Sequence, residues 1–101
     1  MPRSVPPPTW VIARRRAIGD RIRAARQEAK LTQEQVALRI GMDRATYNRI
    51  EQGHSAALID SLIRIADAIG VPLADLVREE RPPLPREQQG PLSDPPAPTS
   101  P

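Results

Sequence analysis

The chain has 101 residues, enough for one small domain, and a formal charge of +3 from 15 basic and 12 acidic side chains. With no cysteine and a single histidine, His54, it excludes a disulfide framework, a Cys- or His-clustered metal site and a Cys nucleophile. With one Trp, one Tyr and no Phe it lacks a stacking platform for single-stranded nucleic acid, and no run approaches the ~18 apolar residues of a membrane span. The N-terminus MPRSVPPPTW also lacks the apolar stretch of a secretory signal, so the expected location is cytoplasmic. Prolines gather at both ends, leaving Pro72 isolated between them, while most apolar residues fall between Trp10 and Glu80. This divides the chain into a disordered N-terminal arm (1–9), a folded unit (10–80) and a disordered Pro-rich tail (81–101) with too little apolar surface to offset its ordering entropy. The PPLP within the tail is either a polyproline ligand or part of an unstructured end.

Inside the folded unit the apolar spacing is helical throughout, and no alternating segment predicts a strand. Ile18, Ile22, Ala25 and Ala29 mark a first helix from Trp10 to Ala29. Thr32 with Gln35 three residues on is a capping-box pattern for a short second helix that buries Val36, Ala37 and Ile40. Gly41 suits a left-handed stop, and Asp43 suits the N-cap of a third helix from Arg44 to Gln52, closed by Gly53. Leu58, Leu62, Ile65 and Ile69 make a fourth helix, for which Ser55 is a candidate cap with a start at Ala56. Pro72, as a first helical residue, opens a short fifth helix through Leu73, Leu76 and Val77.

Two short helices joined by a Gly-containing turn form a helix-turn-helix arrangement. On the third helix, Tyr47 and Ile50 share the inward face, while Arg44, Asn48, Ala45 and Arg49 point outward with Thr46 near the N-terminus. Arg donates bidentately to guanine and Asn pairs with adenine, so this face suits a major-groove edge. Charge is placed to match. Residues 10–53 carry ten basic and five acidic groups, net +5, whereas residues 54–80 carry two basic and five acidic, net −3. A basic half suits phosphates, and an acidic half faces away from them.

The run LTQEQVALRIGMDRATYNRIEQG, followed by LIDSLIRIADAIGVPLADLV, resembles the family of phage lambda repressor, Cro and XRE regulators over residues 18–77. The fold this implies is all-α: a five-helix lambda-repressor-like DNA-binding domain with disordered Pro-rich tails. The resemblance rests on a small Ala37 where the second and third helices touch, Gly41 in the turn, Ile50 as the anchor of the third helix, Gln33, Arg26, and Glu51-x-Gly53. It implies base contacts from Arg44, Ala45, Thr46, Asn48 and Arg49, and phosphate contacts from Gln33, Arg26, Tyr47, Gln52 and His54. It also implies a structural pair between Arg26 and Glu51. The sequence departs from the family at Tyr47, where Ile or Val is usual, so that its hydroxyl is expected beside the DNA backbone. It departs again at Ala45, reduced to an apolar touch on a thymine methyl. Arg14, Arg15 and Arg16 either meet phosphates or stay solvated, Arg3 is a candidate for a minor groove, and Trp10 is a hydrophobic cap on the first helix.

The function so implied is a sequence-specific regulator of transcription, a repressor. It acts as a homodimer on a palindromic double-stranded DNA operator with half-sites about one helical turn apart. Leu73, Leu76 and Val77 of the fifth helix are the expected dimer surface. The reading implies no cofactor, metal, membrane or small-molecule ligand. The alternative is an antitoxin or other protein-interaction module; an enzyme finds no nucleophile–base set or phosphate-cradling loop.

Overall fold

Five helices follow one another: α1 (Thr9–Glu28), α2 (Gln33–Ile40), α3 (Arg44–Glu51), α4 (Ile59–Ile69) and α5 (Leu73–Val77). The computed structural model of the chain describes residues 5–79, so Arg3, PPLP and the expected disorder of the tail lie outside the described residues. Among those described there is no strand.

Local chemistry accounts for the boundaries of the two central helices. The Thr32 hydroxyl accepts from the Gln35 backbone N–H at 3.1 Å, and the Gln35 side chain accepts from the Thr32 N–H at 2.8 Å, closing the expected capping box. Gly41 ends α2 in the left-handed region at φ 71°, and the Met42 N–H reaches back to the Ala37 carbonyl. Asp43 caps α3 by accepting from the Thr46 N–H at 3.2 Å and the Thr46 hydroxyl at 2.7 Å. These two bonds hold the Asp43 carboxyl below its ordinary pKa.

Elsewhere the structure corrects three expectations. Ser55 is not a cap: α4 begins at Ile59, and its N-cap is an extended Leu58 that has no side-chain cap bond. Leu58 is therefore not in the core but 74% exposed. Pro72 is not the first helical residue of α5; it is the extended N-cap, with ψ 145°, and Leu73 starts the helix. The third concerns α5 as a dimer surface. Leu76 is fully buried and Leu73 packs against the core, so of the three expected residues only Val77 remains exposed.

The core is drawn from every helix: Ile22 of α1, Val36, Ala37 and Ile40 of α2, Tyr47 and Ile50 of α3, Ile65, Ala66 and Ile69 of α4, and Leu76 of α5. Each fully buried Ile or Leu contributes about 1.5–3 kcal/mol relative to exposure. α1 packs across α3 and α5, and α2 across α3 and α4. α3 is thus held from behind by both of its predecessors, and its opposite face is left to solvent.

Candidate nucleic-acid interface

On that free face the side chains of Arg44, Ala45 and Arg49 are exposed, as are Gln52 and His54 beyond the helix; Thr46 and Asn48 are half-buried. Among the described residues, neither Arg44 nor Arg49 makes a side-chain hydrogen bond or ion pair. Two guanidiniums with all their donors turned to solvent, one and six residues after the Asp43 N-cap, form a compact cationic edge. The Thr46 hydroxyl differs: its hydrogen is given to Asp43 at 2.7 Å, so outwardly it offers only its methyl group and a lone pair.

Behind this edge lies a buried polar network centred on Glu51, whose side chain is 1% exposed. Arg26 donates to it twice, Nε to Oε2 at 2.6 Å and Nη2 to Oε1 at 3.1 Å. Its Nη1 donates to the Leu31 carbonyl at 2.9 Å. Tyr47 donates its hydroxyl to Oε2 at 2.5 Å, and Gln33 donates Nε2 to Oε1 at 3.0 Å. The Arg23 guanidinium approaches Oε1 at 3.9 Å. One carboxylate therefore ties α1, the start of α2 and the last turns of α3 together. Among the described residues no buried side-chain nitrogen or oxygen lacks a partner, as a stable buried polar cluster requires.

The electrostatics follow from this geometry. Burial pushes the Glu51 pKa up, but donation by Arg26, Tyr47 and Gln33 outweighs it and holds the carboxyl below its ordinary value. The bond to Glu51 raises Arg26 despite its desolvation. Burial first, and then donation to an anion, pushes the Tyr47 phenol far above its usual value.

This network realises the expected pairing of Arg26 with Glu51 and corrects two other placements. Tyr47 is not on the solvent face of α3, the place beside the DNA backbone expected of it. Its side chain is 0% exposed, because the ring fills the core and the hydroxyl has found a carboxylate one turn further on. Gln33 does not hold its amide out toward solvent either. Both amide hydrogens are engaged, one on Glu51 and one on Asn48 Oδ1 at 2.9 Å, which leaves the side chain no donor for a phosphate. Ala37, Gly41 and Ile50 stand where the sequence places them, buried, in the turn and in the core respectively. On α1, Arg14 is taken up by Glu79 at 2.6 Å and lies 5.4 Å over the Trp10 ring, which stands in solvent and is no hydrophobic cap.

Sequence reasoning missed Gly19. A Cβ there would stand 2.2 Å from the Glu51 carbonyl oxygen and 2.9 Å from that of Ile50. A Cβ at Gly53 would stand 2.8 Å from Arg16 Cα. α1 therefore lies directly on the backbone end of α3, closer than any side chain permits. The available signal was an isolated glycine inside a strong helical pattern, which has a packing reason when it is kept.

Comparison with known proteins agrees with this architecture. The phage CTXphi transcriptional repressor RstR of Vibrio cholerae is 37% identical over 59 residues, 58% of this chain and 53% of that protein. The immunity repressor protein of Bacillus phage phi105 is 35% identical over 63 residues, 62% of this chain and 44% of its own. The chain thus spans about half the length of these curated relatives. Among solved structures, the restriction-modification controller protein C.AhdI from Aeromonas hydrophila superposes with a TM-score of 0.62 at 26% identity, covering 63% of this chain and 97% of that one. The helix-turn-helix family model HTH_3 matches residues 22–76. That match takes in all of α2 to α4 and more than half of the chain, which therefore belongs to the helix-turn-helix family, in its lambda repressor (XRE) branch.

Proposed function

We propose that this protein is a sequence-specific transcriptional repressor that lays α3 in the major groove of double-stranded DNA. The observation that carries the reading is the pair of free guanidiniums, Arg44 and Arg49, on the solvent face of a helix locked from behind by the Glu51 network. Arg donates bidentately to guanine O6 and N7, and a helix that cannot rotate presents such a fork in one register. The names of its relatives, a transcriptional repressor and an immunity repressor, support the same reading. Arg44, Asn48 and Arg49 read base edges, with Thr46 and Ala45 in apolar touch. Phosphates are met by Gln52, His54 and the backbone N–H groups at the start of α2, where the helix dipole favours an anion. Arg26 orients α3 and touches no base. Such a protein works in the cytoplasm, where bacterial DNA lies.

In vitro selection from a random duplex pool tests this reading, and a reader of duplex DNA enriches a defined site. Arg44→Ala then weakens binding to that site by about 1–3 kcal/mol and relaxes one base position. Failure to enrich any sequence overturns the proposal. Affinity also falls with salt, with a log–log slope of about −0.9 for each phosphate neutralised.

The operator is a palindrome because the protein acts as a homodimer. The surface we assign to the second copy is not α5 but the start of α4, where Leu58, Ile59 and Ile63 stand 74%, 62% and 49% exposed. Leu58 lines the same surface hollow as Gly41, Met42 and Asp43, the turn that leads into α3, so a two-fold axis there brings two reading helices side by side. Ile59→Glu abolishes the dimer in sedimentation while leaving the helical content of the monomer unchanged. A dimer that survives the substitution removes this surface from the reading.

A further inference from the structure

One carboxylate and two amides in a row, Glu51, Gln33 and Asn48, fix the direction of the hydrogen bonds that join them. An ionised Glu51 can only accept. Gln33 Oε1 therefore cannot be the atom turned toward it, and the Gln33 group at 3.0 Å from Glu51 Oε1 must be the NH2. The same nitrogen lies 2.9 Å from Asn48 and gives it the other hydrogen. A donor there demands an acceptor opposite, so Asn48 must turn its carbonyl inward and its own NH2 outward. The buried carboxylate thus removes the two-fold ambiguity of both amides in turn.

This has a consequence at the base edge. The side-by-side pairing of Asn with adenine needs the carbonyl and the NH2 presented together, one to accept from N6 and one to donate to N7. An Asn with its carbonyl turned inward onto Gln33 presents its NH2 to the groove and keeps only one lone pair of an inward-facing oxygen, so it offers that pair poorly. We propose that Gln33 is a positioning residue that turns the Asn48 NH2 toward the groove, so that Asn48 favours guanine, whose edge carries two acceptors, over adenine. The inference rests on the reading of α3 as the groove-facing helix, and it differs from a phosphate role for the Gln33 side chain.

The test is selection from a random duplex pool with the full chain and three variants. Asn48→Ala identifies the base position, as the one whose preference disappears. The wild type selects guanine there. Gln33→Met frees the Asn48 amide, and the position then admits adenine alongside guanine, a change in the ratio of the two bases on the order of 10-fold. Asn48→Asp keeps an oxygen for Gln33 and has the same shape, so it folds even where Gln33→Met does not. It presents an acceptor outward, and the preference moves from guanine to cytosine, which carries a donor at N4. A uniform loss of affinity in Gln33→Met with no change of base ratio overturns the lock and restores the phosphate role. Adenine at this position in the wild type, no position responding to Asn48→Ala, or guanine retained by Asn48→Asp each overturns it as well. A wild type that enriches no sequence instead defeats the DNA-reading proposal beneath it, so the two failures are distinct.

Discussion

Glu51→Ala lowers the stability of the helical unit by about 3–5 kcal/mol, which thermal melting followed by far-ultraviolet circular dichroism reads as a loss of 10 °C or more, or of the transition altogether, at roughly 4–8 °C per kcal/mol. The size of the effect follows from what the alanine leaves behind. Arg26, whose side chain is 11% exposed, loses both carboxylate bonds and keeps only the Leu31 carbonyl. Tyr47, fully buried, loses the acceptor of its hydroxyl, and Gln33 loses one of two. A domain of this length has a total stability of only about 0.05–0.15 kcal/mol per residue, so a loss of this order is most of what it has. The same network makes stability depend on pH with a definite sign. The folded carboxyl has a pKa below the unfolded one, so its contribution is fully present above the ordinary glutamate value of about 4.3 and is lost as the pH falls through the folded value. The wild type therefore loses stability on acidification below about pH 4 to a greater extent than Glu51→Gln does. Identical acid profiles for the two remove Glu51 from this role.

The second large effect is at Gly19. Replacing a glycine by alanine in a helix interior ordinarily stabilises by about 0.5–1 kcal/mol. Here the sign reverses. The new methyl would meet the Glu51 carbonyl oxygen at 2.2 Å and its carbon at 2.8 Å, and neither is the end of a side chain that can swing aside. Accommodation requires α1 to lift off α3, which disturbs the bonds of Arg26 as well. Gly19→Ala is expected to fall at or beyond the upper end of the ~1–3 kcal/mol range for overpacking. Gly41 is a control of the opposite kind: nothing stands within 4 Å of a Cβ there, so Gly41→Ala brings only the strain of a left-handed φ of 71°, about 1–2 kcal/mol. A Gly19→Ala protein that melts at or above the wild-type temperature removes the close approach from the account.

What the sequence made legible was what is decided within a few residues. The Thr32–Gln35 box, the stop at Gly41 and the Asp43 cap each depend on groups at most five positions apart, and all three form as expected. The α4 cap failed for the same reason in reverse. A polar residue upstream suggested a side-chain cap, but the start of α4 is set by where α4 packs, and an extended Leu58 supplies no cap at all. Leu76 and Leu73 show the limit of periodicity. An apolar face on a five-residue helix looks the same whether it meets a partner or its own core, and here it meets the core. Tyr47 was misplaced although the spacing held the answer, because positions four apart on a helix touch and Glu51 lies four beyond Tyr47. Gln33's inward turn needed contacts 15 and 18 residues away, which no local pattern encodes.

The chain's two aromatic side chains end at opposite depths. Trp10 already stands largely in solvent in the folded state, with Arg14 over its ring, so indole emission hardly registers loss of the core. Tyr47 is enclosed, and its phenol keeps its proton for as long as the core stays closed around it. Ionisation of the single tyrosine in alkali is thereby coupled to opening of the whole domain, and its near-ultraviolet absorbance measures the folded fraction. The tryptophan reports only on the first turns of α1.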